Sequence, residues 1–173
     1  IQQDSTLGNK WEIVDNMEMQ VTLCDKKDSV ITAWERRFEK SPEVRIVAGD
    51  IFSCDSEAVV IPGNSYGFLA RGLELQASEL FGFELQDLLR KKIRERYNGE
   101  LLVGQGLAIP CEGLGNKEPP CTHLIYVSAS RTPRSVDGTL NAYLAARGAF
   151  LALAEPEAEG INSVALPGIA TGE

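Results

Sequence analysis

Hydrophobic positions in the first third of the chain follow two different periods, which predicts strands alternating with a helix. Residues 17–24 alternate between apolar and polar side chains and are predicted to form a strand. Residues 28–40 carry apolar side chains at helical spacing, with Asp28 as the expected N-cap. Strands are predicted again at 43–51 and 57–62, and the second is apolar throughout, as expected for a strand covered on both faces.

The same alternation continues to the end of the chain. Residues 73–97 are amphipathic and are predicted to form two helical pieces separated at Gly82. Further predicted elements are strands at 101–110 and 122–130, a helix at 139–154 and a last strand from 161 that runs into a glycine loop. The inward face of the helix at 139–154 is predicted to consist of Leu140, Tyr143, Leu144 and Leu151. This order predicts an α/β fold, a three-layer α/β/α sandwich with a mixed, largely parallel sheet.

Composition narrows the class of protein. The 173 residues suit one domain, and a net charge of −8 disfavours a nucleic-acid binder. The basic stretch 90–96 is interpreted as a solvated helix face. Four scattered cysteines without a CxxC pair, and a single histidine, predict free thiols and no metal site. Free thiols favour a reducing, cytoplasmic or nucleocytoplasmic location, and the sequence has no apolar run long enough to cross a membrane.

Three glycine-bearing loops follow predicted strands, at 48–52, 61–72 and 166–173. Glycine lets backbone N–H groups converge on an anion at the carboxyl ends of parallel strands, although for any one such loop a tight turn without a ligand is the more common case. The first loop carries Asp50, whose carboxylate can accept a hydrogen bond from the exocyclic amine of adenine. The second carries Asn64, whose amide can hold ribose hydroxyls.

The residues of these loops resemble those of a known family. The segments "VRIVAGDIF" (44–52), "EAVVIPGNS" (57–65) and "SVALPGIATGE" (163–173) resemble, in order, three motifs of the macrodomain family, which binds ADP-ribose. The likeness covers most of the chain, roughly residues 44–173. The segment "NSYGF" and its surroundings are similar to a divergent branch, which includes a bacterial-effector hydrolase that removes ADP-ribose from modified ubiquitin.

The resemblance implies a role for each matching position. Asp50 would accept from the adenine amino group with Ile51 packed nearby, Asn64 would reach the distal ribose, and Gly72 would pass the pyrophosphate and that ribose. Backbone N–H groups of the last loop would bind the phosphates; these belong to Gly168, Ile169, Ala170, Thr171 and Gly172.

The sequence departs from the family pattern at two points. Ile61 replaces the first asparagine of the second motif, and Ala70 stands where the branch commonly has an acid. Ala70 therefore indicates an inactive member, a different acid, or an introduced substitution. Glu74 is the nearest substitute as a catalytic acid, although a first-turn glutamate also stabilises the helix dipole.

Other candidate residues leave alternatives open. His123 is expected to be a packed strand residue rather than a catalytic one. Ser128 and Ser130 are expected near a pocket, Arg131 and Arg134 are either phosphate ligands or exposed loop residues, and the aromatic rings in loop 61–72 stack on ligand or pack in the core.

The predicted organisation has two parts. Residues 1–43 form an arm followed by a strand and helix packed on the core, and residues 44–173 form the macrodomain core. Because the last motif stops at Glu173, the core is expected to be truncated at its C-terminus.

The predicted function is an ADP-ribosyl hydrolase that releases ADP-ribose from protein side chains, with ADP-ribose as ligand and no cofactor or metal. The predicted partner is an ADP-ribosylated protein, with ubiquitin one possibility, and the predicted state is a monomer that binds neither nucleic acid nor membrane. A non-catalytic reader of ADP-ribosylated protein, a binder of free ADP-ribose and a purely structural domain are the alternatives.

Overall fold

The computed structural model describes residues 19–115 and 118–171, and a six-stranded sheet lies at its centre. The strands are β1 (Gln20–Asp25), β2 (Val44–Ala48), β3 (Ala58–Asn64), β4 (Gly106–Pro110), β5 (His123–Ser130) and β6 (Ser163–Leu166). Their order across the sheet is β2-β1-β6-β3-β5-β4. The predicted arm that precedes the strand at 17–24, and the predicted ligand residue Gly172, lie outside the described residues.

All neighbouring strands are parallel except β4, which runs antiparallel to β5. The predicted α/β fold with a mixed, largely parallel sheet is therefore confirmed. In the central pair, Ile61 of β3 lies opposite Tyr126 of β5. Because five strands point the same way, their carboxyl ends and the three predicted glycine loops meet at one edge of the sheet.

Helices cover both faces of this sheet and form two separate cores. The helices are α1 (Asp28–Arg37), α2 (Gly72–Phe81), α3 (Glu84–Tyr97) and α4 (Asn141–Leu153). Helices α2 and α3 bury bulky side chains against one face, among them Phe81, Leu85, Leu89 and Ile93. Helices α1 and α4 pack on the other face. The break between α2 and α3 lies at Gly82, as predicted, where the backbone adopts a φ of 86°.

The predicted inward face of α4 is wrong at three of its four positions, whereas Leu144 is half-buried and lies next to Gly104. Leu140, Tyr143 and Leu151 are 72%, 65% and 50% exposed, and the buried side of the helix consists of Ala145, Gly148, Ala149 and Ala152. A Cβ atom on Gly148 would overlap the carbonyl oxygen of Gly104. The helix therefore approaches the sheet too closely for leucine or tyrosine, and only small side chains fit beneath it.

Two smaller expectations also change. Lys27 holds the N-cap position of α1, and Asp28 is its first residue, where it faces the helix dipole rather than capping the backbone. The predicted strand 101–110 is shorter, because only Gly106–Pro110 pairs with β5. No helix among the described residues is both long and apolar enough to span a membrane.

Candidate functional site

A cavity of about 690 Å³ opens at the carboxyl edge of the sheet. It is lined by the ends of β1, β3 and β5, by the start of α2, and by the loops that follow β2, β5 and β6. This is where ligands bind in sheets of this topology, and the volume suits a ligand of nucleotide size. Of the residues singled out from the sequence, those that line it are Ile51, Asn64, Gly72, Glu74, Ser130, Arg134, Gly168, Ala170 and Thr171.

Asp50 stands at one end of this cavity, between the lining residues Gly49 and Ile51. Its carboxylate accepts from Lys26 Nζ at 2.5 Å, from Gln76 Nε2 at 2.8 and 3.1 Å, and from the backbone N–H of Phe52 at 3.0 Å. Partial burial acts to raise the pKa of Asp50, but the hydrogen bonds from Lys26 and Gln76 outweigh it and hold the pKa below its usual value. Asp50 is therefore an ionised acceptor.

Asn64 ends β3 and is buried beneath the loop that follows it. Its side-chain oxygen accepts from the backbone N–H groups of Tyr66 and Phe68 at 3.0 and 3.3 Å, and its amide donates to the Phe68 carbonyl at 2.8 Å. The same amide donates to Glu74 Oε1 at 3.1 Å. Asn64 thus holds the loop and orients Glu74, and its predicted contact with ribose stays a prediction.

Glu74, in the first turn of α2, is a half-buried acid that lines this cavity. Its Oε1 lies 3.1 Å from the Tyr126 hydroxyl, which reaches it from β5. Desolvation raises the pKa of Glu74 to about 7, against the hydrogen bonds from Tyr126 and Asn64 that lower it. A Cβ at position 63 would overlap both the carboxylate and the hydroxyl, so the glycine there allows them to meet.

The loop after β6 forms part of the cavity wall. The Gly168 N–H donates to Asp25 Oδ2 at 3.1 Å, and Ala170 adopts a φ of 62°, in the left-handed region that non-glycine residues rarely enter. Thr171 closes the turn by donating to the Gly168 carbonyl at 2.8 Å. The predicted phosphate contact of Gly168 would require Asp25 to release this N–H. The phosphate contacts predicted for Ile169, Ala170 and Thr171 also stay predictions.

Two arginines add positive charge to the cavity. Arg71 and Arg134 line it, and among the described residues neither forms an ion pair. Helix α2 begins beside them at Gly72, and no side chain caps its first N–H groups. In a chain of net charge −8, cations without carboxylate partners and an open helix N-terminus favour an anionic ligand.

Several other predicted positions do not line the cavity. Ala70 is exposed and does not line it, so a carboxylate at position 70 would face solvent. Arg131 pairs with Glu100 at 2.6 Å and lies over the Tyr66 ring, and Arg90 lies over Phe68. Neither aromatic ring lines the cavity. His123 is half-buried at the start of β5, at the opposite edge of the sheet from the cavity, so a catalytic role there is excluded.

Sequence reasoning missed three residues that shape the site. Gln76 and Lys26 hold the Asp50 carboxylate, and Tyr126 contacts Glu74. A tyrosine within an apolar strand is a usable signal, since a buried hydroxyl requires a polar partner. Lys26 and Gln76 carry no comparable signal in the sequence. They lie 24 and 26 residues from Asp50 along the chain, and only the fold brings them into contact with it.

The described residues contain no group of three or more His, Cys, Asp or Glu side chains that could hold a metal ion. The four cysteines are free thiols.

Comparison with known proteins gives structural matches only. No family model and no curated protein sequence matches the chain. The macrodomain of Mycobacterium tuberculosis DarG is similar over 72% of this chain and 74% of its own, with a TM-score of 0.57 and 21% identity. The Oceanobacillus iheyensis macrodomain solved with ADP has a TM-score of 0.57 and 22% identity, and the match covers 72% of this chain and 62% of that one.

A third structure extends the match to a larger share of this chain. Thermosipho africanus DarTG in complex with ADP-ribose is similar over 87% of this chain and 45% of its own, with a TM-score of 0.54 and 12% identity. This chain therefore has the macrodomain fold, as its motifs predicted.

Proposed function

We propose that this chain binds ADP-ribose in the cavity at the carboxyl edge of its sheet. Structures of the same fold have been solved with ADP-ribose and with ADP. The charges of the cavity suit this ligand: an ionised acceptor, Asp50, lies at one end, and Arg71, Arg134 and the start of α2 offer positive charge to a pyrophosphate. In this pose the adenine amine donates to Asp50, and the distal ribose lies toward Glu74.

We further propose that the chain hydrolyses the bond between ADP-ribose and a protein side chain. The observation that carries this proposal is the Glu74 carboxyl, half-buried in the cavity with a pKa of about 7. General acid–base catalysis is most efficient when the pKa of the group lies near the working pH. An acid held only to stabilise the helix dipole has no need of a partner such as the Tyr126 hydroxyl.

The step assigned to Glu74 is proton transfer. Its ionised carboxylate takes a proton from a water molecule as the water oxygen bonds to the anomeric carbon of the distal ribose. The glycosidic bond breaks, and the proton that Glu74 accepted passes to the leaving side chain, so that the products are ADP-ribose, the free side chain and the ionised Glu74 carboxylate. Asn64 and Tyr126 hold the carboxylate in place during this step.

Two measurements test the proposal separately. Titration calorimetry with ADP-ribose should give saturable binding, and the absence of both heat and thermal stabilisation at millimolar ligand would overturn the binding proposal. Incubation with proteins ADP-ribosylated on Arg, Glu or Gln should release free ADP-ribose from at least one linkage. Binding without release from any linkage would leave a reader of ADP-ribosylated protein, the alternative that Ala70 favours.

The choice of substrate follows from the sequence. The resemblance to a branch with an ADP-ribosyl-ubiquitin hydrolase makes ADP-ribosylated ubiquitin the first substrate to try. A monomeric state and a cytoplasmic location stay predictions; gel filtration and microscopy of the tagged protein would test them.

A further inference from the structure

Gln76 contacts Asp50, and the proposed reaction gives this contact no role. It lies in the middle of α2, lines the cavity, and reaches the Asp50 carboxylate, with Nε2 at 3.1 Å from Oδ1 and 2.8 Å from Oδ2. One amide nitrogen thus spans both oxygens of a residue 26 positions away. Together with the Phe52 N–H on Oδ1 and the Lys26 ammonium on Oδ2, this contact fixes the orientation of the carboxylate.

The side chains of Asp50 and Gln76 offer a ligand acceptors at this end of the cavity. An ionised carboxylate can accept but not donate, so the Gln76 amide must turn its nitrogen toward Asp50 and its oxygen away. Lys26 and the Phe52 N–H are the other donors, and both point at Asp50. Three donors occupy a carboxylate with about four lone-pair positions, which leaves room for one more donor from the ligand.

Purine bases differ in what they present to such a group. At ring position 6, a 6-amino purine offers N–H donors, whereas a 6-oxo purine offers a carbonyl oxygen, which the carboxylate repels. The N–H donor of the 6-oxo ring lies at N1 instead, so rejection of that base depends on holding the carboxylate against position 6. We propose that Gln76 is the positioning residue that sets base specificity, because it keeps the Asp50 carboxylate turned to accept from a 6-amino purine and to reject a 6-oxo purine. This inference rests on the proposed binding of ADP-ribose.

The test compares two ligands that differ only at the base. Calorimetry measures the dissociation constants of ADP-ribose and inosine diphosphate ribose for the wild type, for Gln76→Leu and for Gln76→Glu. The matched control is Gln105→Leu, which removes a glutamine whose side chain accepts from the Leu102 N–H outside the cavity.

We expect the wild type and Gln105→Leu to bind ADP-ribose about tenfold more tightly than the inosine ligand, as one hydrogen bond to a charged group implies. Both Gln76 variants should lower this ratio by about fivefold to tenfold, and Gln76→Glu does so without a change in size. A ratio that is the same in wild type and variants, at any affinity, would overturn the inference alone. A wild type that binds neither ligand would overturn the proposed function, and this inference with it.

Discussion

Two carboxylates of the candidate site, Asp50 at one end of the cavity and Glu74 in its lining, have opposite surroundings. Asp50 follows β2 and accepts from an ammonium, an amide and a backbone N–H, so its pKa is lowered. Among the described residues, the Glu74 carboxylate has only the Asn64 amide and the Tyr126 hydroxyl as hydrogen-bond partners. Because its desolvation outweighs these two hydrogen bonds, its pKa rises to about 7. The same functional group is therefore held as an ionised acceptor in one place and with a pKa near neutrality in the other, and this difference underlies the binding and proton-transfer roles proposed for the two residues.

Glu74→Gln should break this contrast most strongly. The substitution keeps the shape of the side chain and removes its ability to take a proton, so turnover should fall by about 10²- to 10⁴-fold. Affinity for ADP-ribose should stay within a few-fold of wild type. Single-turnover release of ADP-ribose, with Glu79→Gln on the exposed side of the same helix as control, measures the effect. Full activity of Glu74→Gln would remove Glu74 from the mechanism.

The raised pKa of Glu74 should also appear in folding. Its folded pKa of about 7 exceeds the ordinary value of 4.5, so as pH rises the unfolded chain releases this proton first. The contribution is fully present below pH 4.5 and is lost by about pH 7. Relative to Glu74→Gln, the wild type should lose on the order of 3 kcal/mol across this window. Urea unfolding of both proteins at several pH values measures it, and parallel curves would contradict the buried carboxyl.

Asp50→Asn should weaken binding and leave chemistry intact. The substitution removes the charge of the acceptor and turns part of the group into a donor, so affinity for ADP-ribose should fall by about tenfold to a hundredfold. The rate at saturating substrate should hardly change. Asp55→Asn, an exposed residue outside the cavity lining, is the control. A loss of rate without a loss of affinity would mean that the two carboxylates had been assigned the wrong way round.

Tyr126→Phe should have the smallest effect of these substitutions, and it tests the part that the hydroxyl plays in the surroundings of Glu74. The hydroxyl contacts the Asn64 backbone N–H and carbonyl as well as Glu74, so its loss should destabilise the fold by about 1–2 kcal/mol. Because the Tyr126 hydrogen bond lowers the pKa of Glu74, the basic form should appear at higher pH in the rate profile of the variant. Tyr97→Phe loses a hydrogen bond to the Gly106 carbonyl and should leave that profile unchanged.

Much of the fold could be predicted, because local patterns reflect burial directly. The apolar run at 57–62 became β3, buried on both faces, and the interruption at Gly82 became the break between α2 and α3. Helix α4 could not be oriented in this way. Hydrophobicity favoured its leucines as the inward face, whereas close contact with Gly104 at the sheet requires the small residues.

The candidate site was likewise predictable in part. The position of the cavity at the ends of the strands followed from glycines and from three family-like motifs, and Asn64 and Gly72 do line it. The catalytic acid was harder to predict from the sequence. The expected position, Ala70, and its substitute, Glu74, are four residues apart, and only Glu74 lines the cavity.

Sequence pattern alone was enough for the order of strands and helices, the class of fold and the edge of the sheet where a ligand would bind. These features depend on side chains near one another in the chain, or on rules of topology that hold for all parallel sheets. Only the tertiary structure decided the character of the two carboxylates. A pKa depends on burial and on partners, and here the partners Lys26, Gln76 and Tyr126 come from 24 to 52 residues away.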